Sequence, residues 1–341
     1  MKKVRFGKSG LMVSRIAFGG IPIQRLSTRD AVDVVRGVIA LGVNFIDTAN
    51  GYTDSEEKIG LAIKDMPRDS LVIATKSGAR DKKTFLEHVD LSLKRLGTDY
   101  IDFYQHHGVS TDEHYDALFA EGGVFEGMTE AIRAGKIRFP AISSHSVRLA
   151  VRIIKEEKFY AIQLPFNFVD DEAAAEAVPL AKELDVGFIA MKPFGGGLLN
   201  DARMAIGYLS QFDHIVPDPG IEKLSEMEEI VKIIESDTGF TGADAEAVNK
   251  MKAELGERWC HRCDYCQPCP QNISISLTLN IESMLKRMPF NRVSAMAEGR
   301  MAAARSCTEC RACVAKCPYN LNIPELLKEK IGVWEQYTAT K

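Results

Sequence analysis

All eight cysteines of this 341-residue chain fall into two short quartets. The first is Cys260, Cys263, Cys266 and Cys269, followed by Pro270; the second is Cys307, Cys310, Cys313 and Cys317, followed by Pro318. Thiolates grouped this closely are ligands for soft metal. An iron–sulfur cube takes four of them, and a C-x-x-C-x-x-C run wraps three corners while a more distant cysteine closes the fourth. The pattern predicts two [4Fe–4S] clusters. Zinc is the main alternative, but a structural zinc usually takes two separated C-x-x-C pairs around one tetrahedron. Disulfides would need an oxidising compartment, of which the rest of the sequence gives no sign.

A second group of reactive residues lies in the first third of the chain. Asp47 closes the run Asn44-Phe45-Ile46-Asp47, Tyr52 follows in the next loop, Lys76 closes Leu71–Lys76, and His107 closes Asp102–His107. A carboxylate and an ammonium at the ends of apolar runs are costly to bury unless they pair. One reading is a structural ion pair with a tyrosine packed beside it. The other is proton transfer. A tyrosine hydroxyl has a pKa of about 10 in water, too high for an efficient acid at neutral pH. An adjacent Lys⁺ lowers it by favouring phenolate, and Asp⁻ keeps that lysine charged and oriented. A neutral histidine can then donate a hydrogen bond to a substrate carbonyl.

These residues need strands to hold them. Short β-branched runs predict strands at Arg15–Gly20, Asn44–Ala49, Leu71–Lys76, Tyr100–His107, Ile137–Ser143, Ala161–Asn167, Gly187–Pro193 and His214–Pro217. Helical patterns lie between them, among others at Thr28–Leu41, Thr84–Leu96, Val147–Glu157 and Glu172–Leu184. Strands each followed by a helix predict an α/β fold, a closed parallel (β/α)8 TIM barrel with chemistry at the C-terminal strand ends. A doubly wound open sheet is the runner-up, but no G-x-G-x-x-G follows the first strand. Val4–Val13, with Gly7 and Gly10, predicts a small hairpin plugging the bottom of the barrel. The expected domains are the barrel over 1–238, a linker helix over 239–258, and a mostly helical, ferredoxin-like iron–sulfur domain over 259–341. Within the last, Ile281–Arg305 reads as one Met-rich helical stretch whose methionines fill gaps around the clusters.

Hydrophobic content of 45%, charged content of 26% and a net charge of −4 describe an ordinary globular chain with no pull toward nucleic acid or an acidic membrane surface. The basic N-terminus lacks the apolar run of a signal peptide. No stretch reaches the ~18 apolar residues that span a bilayer. The expectation is a cytoplasmic protein with reduced thiols.

Asn44–Tyr52 with Ser55-Glu56, then Ala74-Thr75-Lys76, then Asp102–His107 resemble, in that order, the signature of the aldo/keto reductase family. The resemblance covers roughly residues 1–235, and the part after it resembles the dicluster ferredoxin-like extension of one branch of that family. It implies an oxidoreductase with a catalytic tetrad of Asp47, Tyr52, Lys76 and His107; the motif's spacing selects His107 over His106, which would point the other way along a strand. In two-cluster ferredoxins the fourth cysteine of each run serves the other cluster. That assigns Cys260, Cys263, Cys266 and Cys317 to one cube, and Cys307, Cys310, Cys313 and Cys269 to the other. The resemblance also implies a nicotinamide site, with Ser143, Ser144 and Gln163 at the carboxamide. Gly195, Gly196 and Gly220 lie where barrels bind phosphate, with Lys192 and Lys223 beside them, and His145 next to Ser144 could touch a cofactor. Three positions depart from the family pattern. Met191 stands where an aromatic usually stacks on nicotinamide, Glu222 where a basic residue commonly meets the 2′-phosphate of NADP, and Ile230 where an asparagine is usual. The choice between NADP and NAD stays open.

The expected activity is interconversion of a small carbonyl and its alcohol, with the clusters either coupled to it through a further carrier, a flavin or a partner ferredoxin, or only bracing the fold. Two other readings remain: an electron-transfer protein without nicotinamide, and a non-catalytic redox sensor that binds a ligand.

Overall fold

The computed structural model describes residues 1–236 and 239–340. The chain divides into two compact units, Met1–Gly195 with Leu199–Thr241, and Gly196–Leu198 with Gly242–Lys341. The expected barrel boundary at residue 238 and the last residue, 341, lie outside the described residues. The predicted linker helix forms over Gly242–Leu255, as part of the second unit.

In the first unit, β1 (Lys3–Phe6) and β2 (Leu11–Ser14) form the expected antiparallel hairpin. Eight further strands follow: β3 (Ala17–Gly19), β4 (Phe45–Asp47), β5 (Val72–Ser77), β6 (Ile101–His106), β7 (Ile137–Ser143), β8 (Ala161–Pro165), β9 (Gly187–Met191) and β10 (Ile215–Asp218). They pair in sequence order, each parallel to the next. A parallel bridge between Gly19 and Gly220 joins β3 to the end of β10 and rolls the sheet into a barrel. Gly19 N donates to Pro219 O at 2.9 Å, and Ile221 N donates to Gly19 O at 3.3 Å. This seam needs glycine. A Cβ on Gly19 would lie 2.7 Å from Pro219 O, and one on Gly220 would lie 2.9 Å from Pro22 Cγ.

Strand side chains alternate between faces, which sorts the core into two layers. Phe45, Val72, Ala74, Phe103, Ala141, Ala161, Ile189 and Val216 fill the barrel interior with Phe6 and Val13 from the hairpin. Phe6 meets Phe45 and Phe103 edge-on, with ring centroids 5.2 and 5.3 Å apart. Residues one step out of phase, such as Ile46, Ile73, Tyr104, Ile142 and Ile162, pack outward against the helices.

The second unit is helical, with longer helices at Phe290–Ala304 and Ile323–Ala339. The single helix expected over Ile281–Arg305 is broken at Met288-Pro289 into Ile281–Arg287 and Phe290–Ala304, because proline cannot continue a helix already under way. Met284 and Met301 are buried with Trp334, Val293 and Leu285 in a cluster separate from the cysteines. They build the helix core rather than gaps around the thiols.

Candidate active site and cluster ligands

The strand alternation decides which side chains meet. Counting in twos from the interior residues Phe45, Ala74, Phe103, Ala161 and Val216 reaches Asp47, Lys76, Gln105, Gln163 and Asp218, which therefore share the inner face at the C-terminal strand ends. Lys76 and Asp47 form an ion pair, both almost wholly buried. Lys76 Nζ also donates to Thr48 O at 2.7 Å. Burial works to lower the Lys76 pKa, but Asp47, Tyr52 and Asp218 outweigh it and raise the value, so the ammonium stays charged. Asp47 Oδ1 accepts from Gln105 Nε2 at 2.9 Å, and its Oδ2 from Gln163 Nε2 at 3.2 Å.

Tyr52 comes to this pair on a braced loop. Thr48 N donates to Ala74 O and Asn50 N to Lys76 O, each at 2.9 Å, extending the ladder past β4 before a turn closes with Tyr52 N donating to Ala49 O at 2.9 Å. Thr48 Oγ1 and Ser55 Oγ lie 2.9 Å apart, and Ser55 Oγ donates to Gly20 O at 2.8 Å. Buried Glu56 accepts from Thr75 Oγ1 at 2.7 Å, and Arg95 joins Glu56 to Asn50 O. The loop delivers the Tyr52 ring to 5.3 Å from Lys76 Nζ. His107, just beyond β6, meets that ring edge-on with centroids 5.9 Å apart. Asp47, Tyr52, Lys76 and His107 are thus brought together. His106 faces outward as the alternation requires; its Nε2 lies 3.0 Å from His114 Nε2. Burial first, then His114, Arg80 and His107, push its pKa down to about 3.

The residues expected around a nicotinamide are more dispersed. Ser143 Oγ accepts from Gly108 N at 2.9 Å, and Ser144 Oγ accepts from Ser146 N at 3.0 Å, so both hydroxyls are engaged by backbone. Gln163 turns its amide nitrogen to Asp47 and Asp218, leaving its buried Oε1 without a hydrogen-bond partner. That acceptor suits the N–H of a carboxamide. Lys192 Nζ and His145 Nε2 lie 2.7 Å apart. Gly220 forms the barrel seam, Lys223 precedes the helix Leu224–Glu235, and Glu222 pairs with Arg25 at 3.5 Å. Gly195 ends the first stretch of the barrel unit, whereas Gly196 belongs to the second, where its carbonyl accepts from Ser283 Oγ at 3.0 Å. Met191 is half-buried, and Ile230 is in the hydrophobic core.

In the second unit both cysteine runs wrap the backbone the same way. The residues flanking each middle cysteine are left-handed: Arg262 and Asp264 around Cys263, at φ 60° and 59°, and Glu309 and Arg311 around Cys310, at φ 54° and 59°. Cys307, Cys310 and Cys313 line a pocket of about 330 Å³, counting its open mouth, together with Cys269 from the other run. The remaining thiols group likewise: Cys266 feels Cys260 and Cys263, and Cys263 feels Cys317. The fourth cysteine of each run therefore stands with the opposite trio. Burial pushes the Cys260 thiol up to about 11; burial, then Asp264 and the neighbouring thiols, push Cys266 up to about 12. Such thiols give up their protons to a bound soft cation, and the donor set fits an iron–sulfur cube. Among the described residues no three His, Cys, Asp or Glu side chains close around a single ion. His261, inside the first cysteine run, stacks on Tyr319 with centroids 3.8 Å apart.

Comparison with known proteins agrees with both halves. The model of the aldo/keto reductase family matches residues 15–251, and that of the 4Fe-4S dicluster domain matches residues 259–322. The chain is 30% identical over 215 residues to the uncharacterized oxidoreductase YqkF of Bacillus subtilis, covering 59% of this chain and 67% of that protein. It is 27% identical to probable aldo-keto reductase 1 of Glycine max, covering 58% of this chain and 60% of that one. The holo form of aldo-keto reductase AKR11C1 from Bacillus halodurans matches with a TM-score of 0.64 at 25% identity, covering 74% of this chain and 96% of that structure. No helix among the described residues is long and apolar enough to cross a membrane. The chain belongs to the aldo/keto reductase family, as an oxidoreductase of the branch that carries a 4Fe-4S dicluster domain behind its barrel.

Proposed function

We propose that the barrel interconverts a small carbonyl compound and its alcohol with a nicotinamide cofactor, Tyr52 serving as acid and base. The observation that carries this reading is the buried Lys76 ammonium, paired with Asp47 on one side and 5.3 Å from the Tyr52 ring on the other. A bound nicotinamide supplies or accepts hydride at carbon. The Tyr52 hydroxyl gives its proton to the developing alkoxide, and Lys76 stabilises the phenolate left behind. Asp47 orients the ammonium, with Gln105 and Gln163 fixing the carboxylate. His107, against the same ring, donates a hydrogen bond to the carbonyl oxygen. Gln163 Oε1 takes the carboxamide; Ser143, Ser144, Lys192, Gly195, Gly196, Gly220 and Lys223 are the remaining candidates for the dinucleotide, and the Glu222–Arg25 pair leaves NAD and NADP both to be tested.

Two [4Fe–4S] clusters, held by Cys260, Cys263, Cys266 and Cys317 and by Cys307, Cys310, Cys313 and Cys269, would pass single electrons. A flavin, which exchanges both single electrons and hydride, would have to join that traffic to hydride chemistry, with a partner ferredoxin supplying or accepting the single electrons. Turnover of a carbonyl panel with NADH and NADPH, set beside Tyr52→Phe, tests the barrel half. A loss of about 10²- to 10⁴-fold in Tyr52→Phe is expected for a general acid; undiminished turnover removes Tyr52 from the role.

A further inference from the structure

On the inner face of the strand ends the motif that identifies the barrel supplies one buried carboxylate, Asp47, yet the structure places a second, Asp218, beside it. Asp218 ends β10, is 7% exposed, and shares the inner face with the tetrad. Gln163 Nε2 bridges the two acids, donating to Asp218 Oδ2 at 2.9 Å and to Asp47 Oδ2 at 3.2 Å. The other Asp218 oxygen is wedged against the barrel seam: a Cβ on Gly19 would lie 3.0 Å from Oδ1, and no donor reaches that atom. The charged groups that act on Asp218 are Asp47 and Lys76, so two acids share one ammonium.

Two carboxylates and one ammonium cannot all ionise comfortably in a dry interior; one acid keeps its proton. Burial, and next the charge of Asp47, push the Asp218 carboxyl well above the usual range, whereas Asp47 has the ion pair and two amide donors. Of the two, Asp218 is the one whose surroundings favour the neutral form. Its unmatched Oδ1 is then the carbonyl of an acid rather than half of a carboxylate starved of donors, and the proton belongs on Oδ2, the oxygen on the side of Gln163 and Asp47. The net charge of the trio falls from −1 to zero. An ionised Asp218 would hold part of the Lys76 field and raise the proton affinity of Tyr52; a neutral one, hydrogen-bonded to Asp47, does the reverse.

We propose that Asp218 is a positioning residue of this site: it remains protonated through turnover, donates to Asp47, and thereby sets how much of the Lys76 charge reaches Tyr52. The proposal rests on the reading of Tyr52 as the acid. Asp218→Asn keeps a neutral donor of the same shape, whereas Asp218→Ala removes the donor. Asp218→Asn is expected to keep kcat/KM for carbonyl reduction within about threefold and its pH profile in place, while Asp218→Ala moves the limb assigned to Tyr52 upward by about one pH unit. A displaced profile in Asp218→Asn, or an unmoved one in folded Asp218→Ala, overturns the proposal. Infrared spectroscopy of the substrate-free protein at neutral pH separates this from the fate of Tyr52. The carbonyl stretch of an un-ionised acid should be present in the parent and missing from Asp218→Asn; if the two spectra match, Asp218 holds no proton and the assignment fails. Should Tyr52→Phe stay active, the tetrad reading falls while the infrared band still reports on Asp218.

Discussion

In the barrel, Asp47, Lys76, Gln105 and Gln163 ride on strands whose backbone ladder is complete whatever those side chains carry. In the second unit the eight cysteines sit mostly in irregular loops, with left-handed non-glycine residues such as Arg262, Asp264, Glu309 and Arg311 among them. Such conformations persist where their surroundings over-determine them. The thiols also pack against a small apolar group of Ile273, Ile275, Leu321, Leu326 and Leu327, while the barrel has two large layers. The first region is a scaffold that tolerates a costly polar centre. The second takes its shape from what it binds, because binding a metal and ordering its ligands are one process.

The sharpest way to break this contrast is to remove one thiol. Cys307→Ser, or Cys269→Ser from the other run, should lower iron from about eight to about four per chain after anaerobic purification. Much of the helical signal of the second unit should go with it, while the barrel keeps its own cooperative melt. A barrel that melts together with the lost cluster would end the distinction drawn here.

Within the barrel, the next largest effect belongs to Lys76→Met. It leaves Asp47 charged and buried without its ammonium, which should destabilise folding by about 3–5 kcal/mol in a denaturant titration. Adding Asp47→Asn should restore much of that loss, because an apolar and amide pair no longer strands a charge. If the double variant is no better than the single one, the ion pair is not what makes the interior sensitive.

A smaller effect comes from His106, held neutral with its pKa pushed down to about 3. The unfolded chain takes up this proton below the ordinary histidine value, and the folded one does not. Stability from this residue is therefore present above about pH 6.5 and lost as pH falls, by at most about 1.4 kcal/mol per pH unit. Melts of the barrel unit at a series of pH values should show that slope, and His106→Gln should flatten it. An unchanged slope would place the acid sensitivity elsewhere.

Much of this was legible from residue order. Apolar runs predicted each barrel strand to within a few residues, since a strand buried on both faces announces itself by β-branched content. Period two set His106 on the opposite side of its strand from His107, and the structure has His106 against His114, away from the tetrad. The same rule points to Asp218, which closes Ile215-Val216-Pro217 as Asp47 closes Asn44-Phe45-Ile46. The turn after it, Pro219-Gly220, reads as a phosphate-binding turn, and the structure adds that Gly220 also closes the barrel. The engagement of Ser143 and Ser144 was hidden for another reason. Their hydroxyls answer backbone N–H groups in neighbouring turns, Gly108 across one strand and Ser146 two residues on, and turn geometry is not written in side-chain type. The stacking of His261 on Tyr319 joins residues far apart in sequence and has no local signature.

The bridge between Gly19 and Gly220 has a mechanical meaning. Neighbouring strands elsewhere in the sheet share three to five registered pairs, but this joint is fastened by one bridge and two flanking hydrogen bonds. The cylinder is a rolled sheet with a single clasp, and the acid on the last strand leans on it. Any breathing of the wall would begin at that clasp, admitting water first to the carboxyl group that most depends on staying dry.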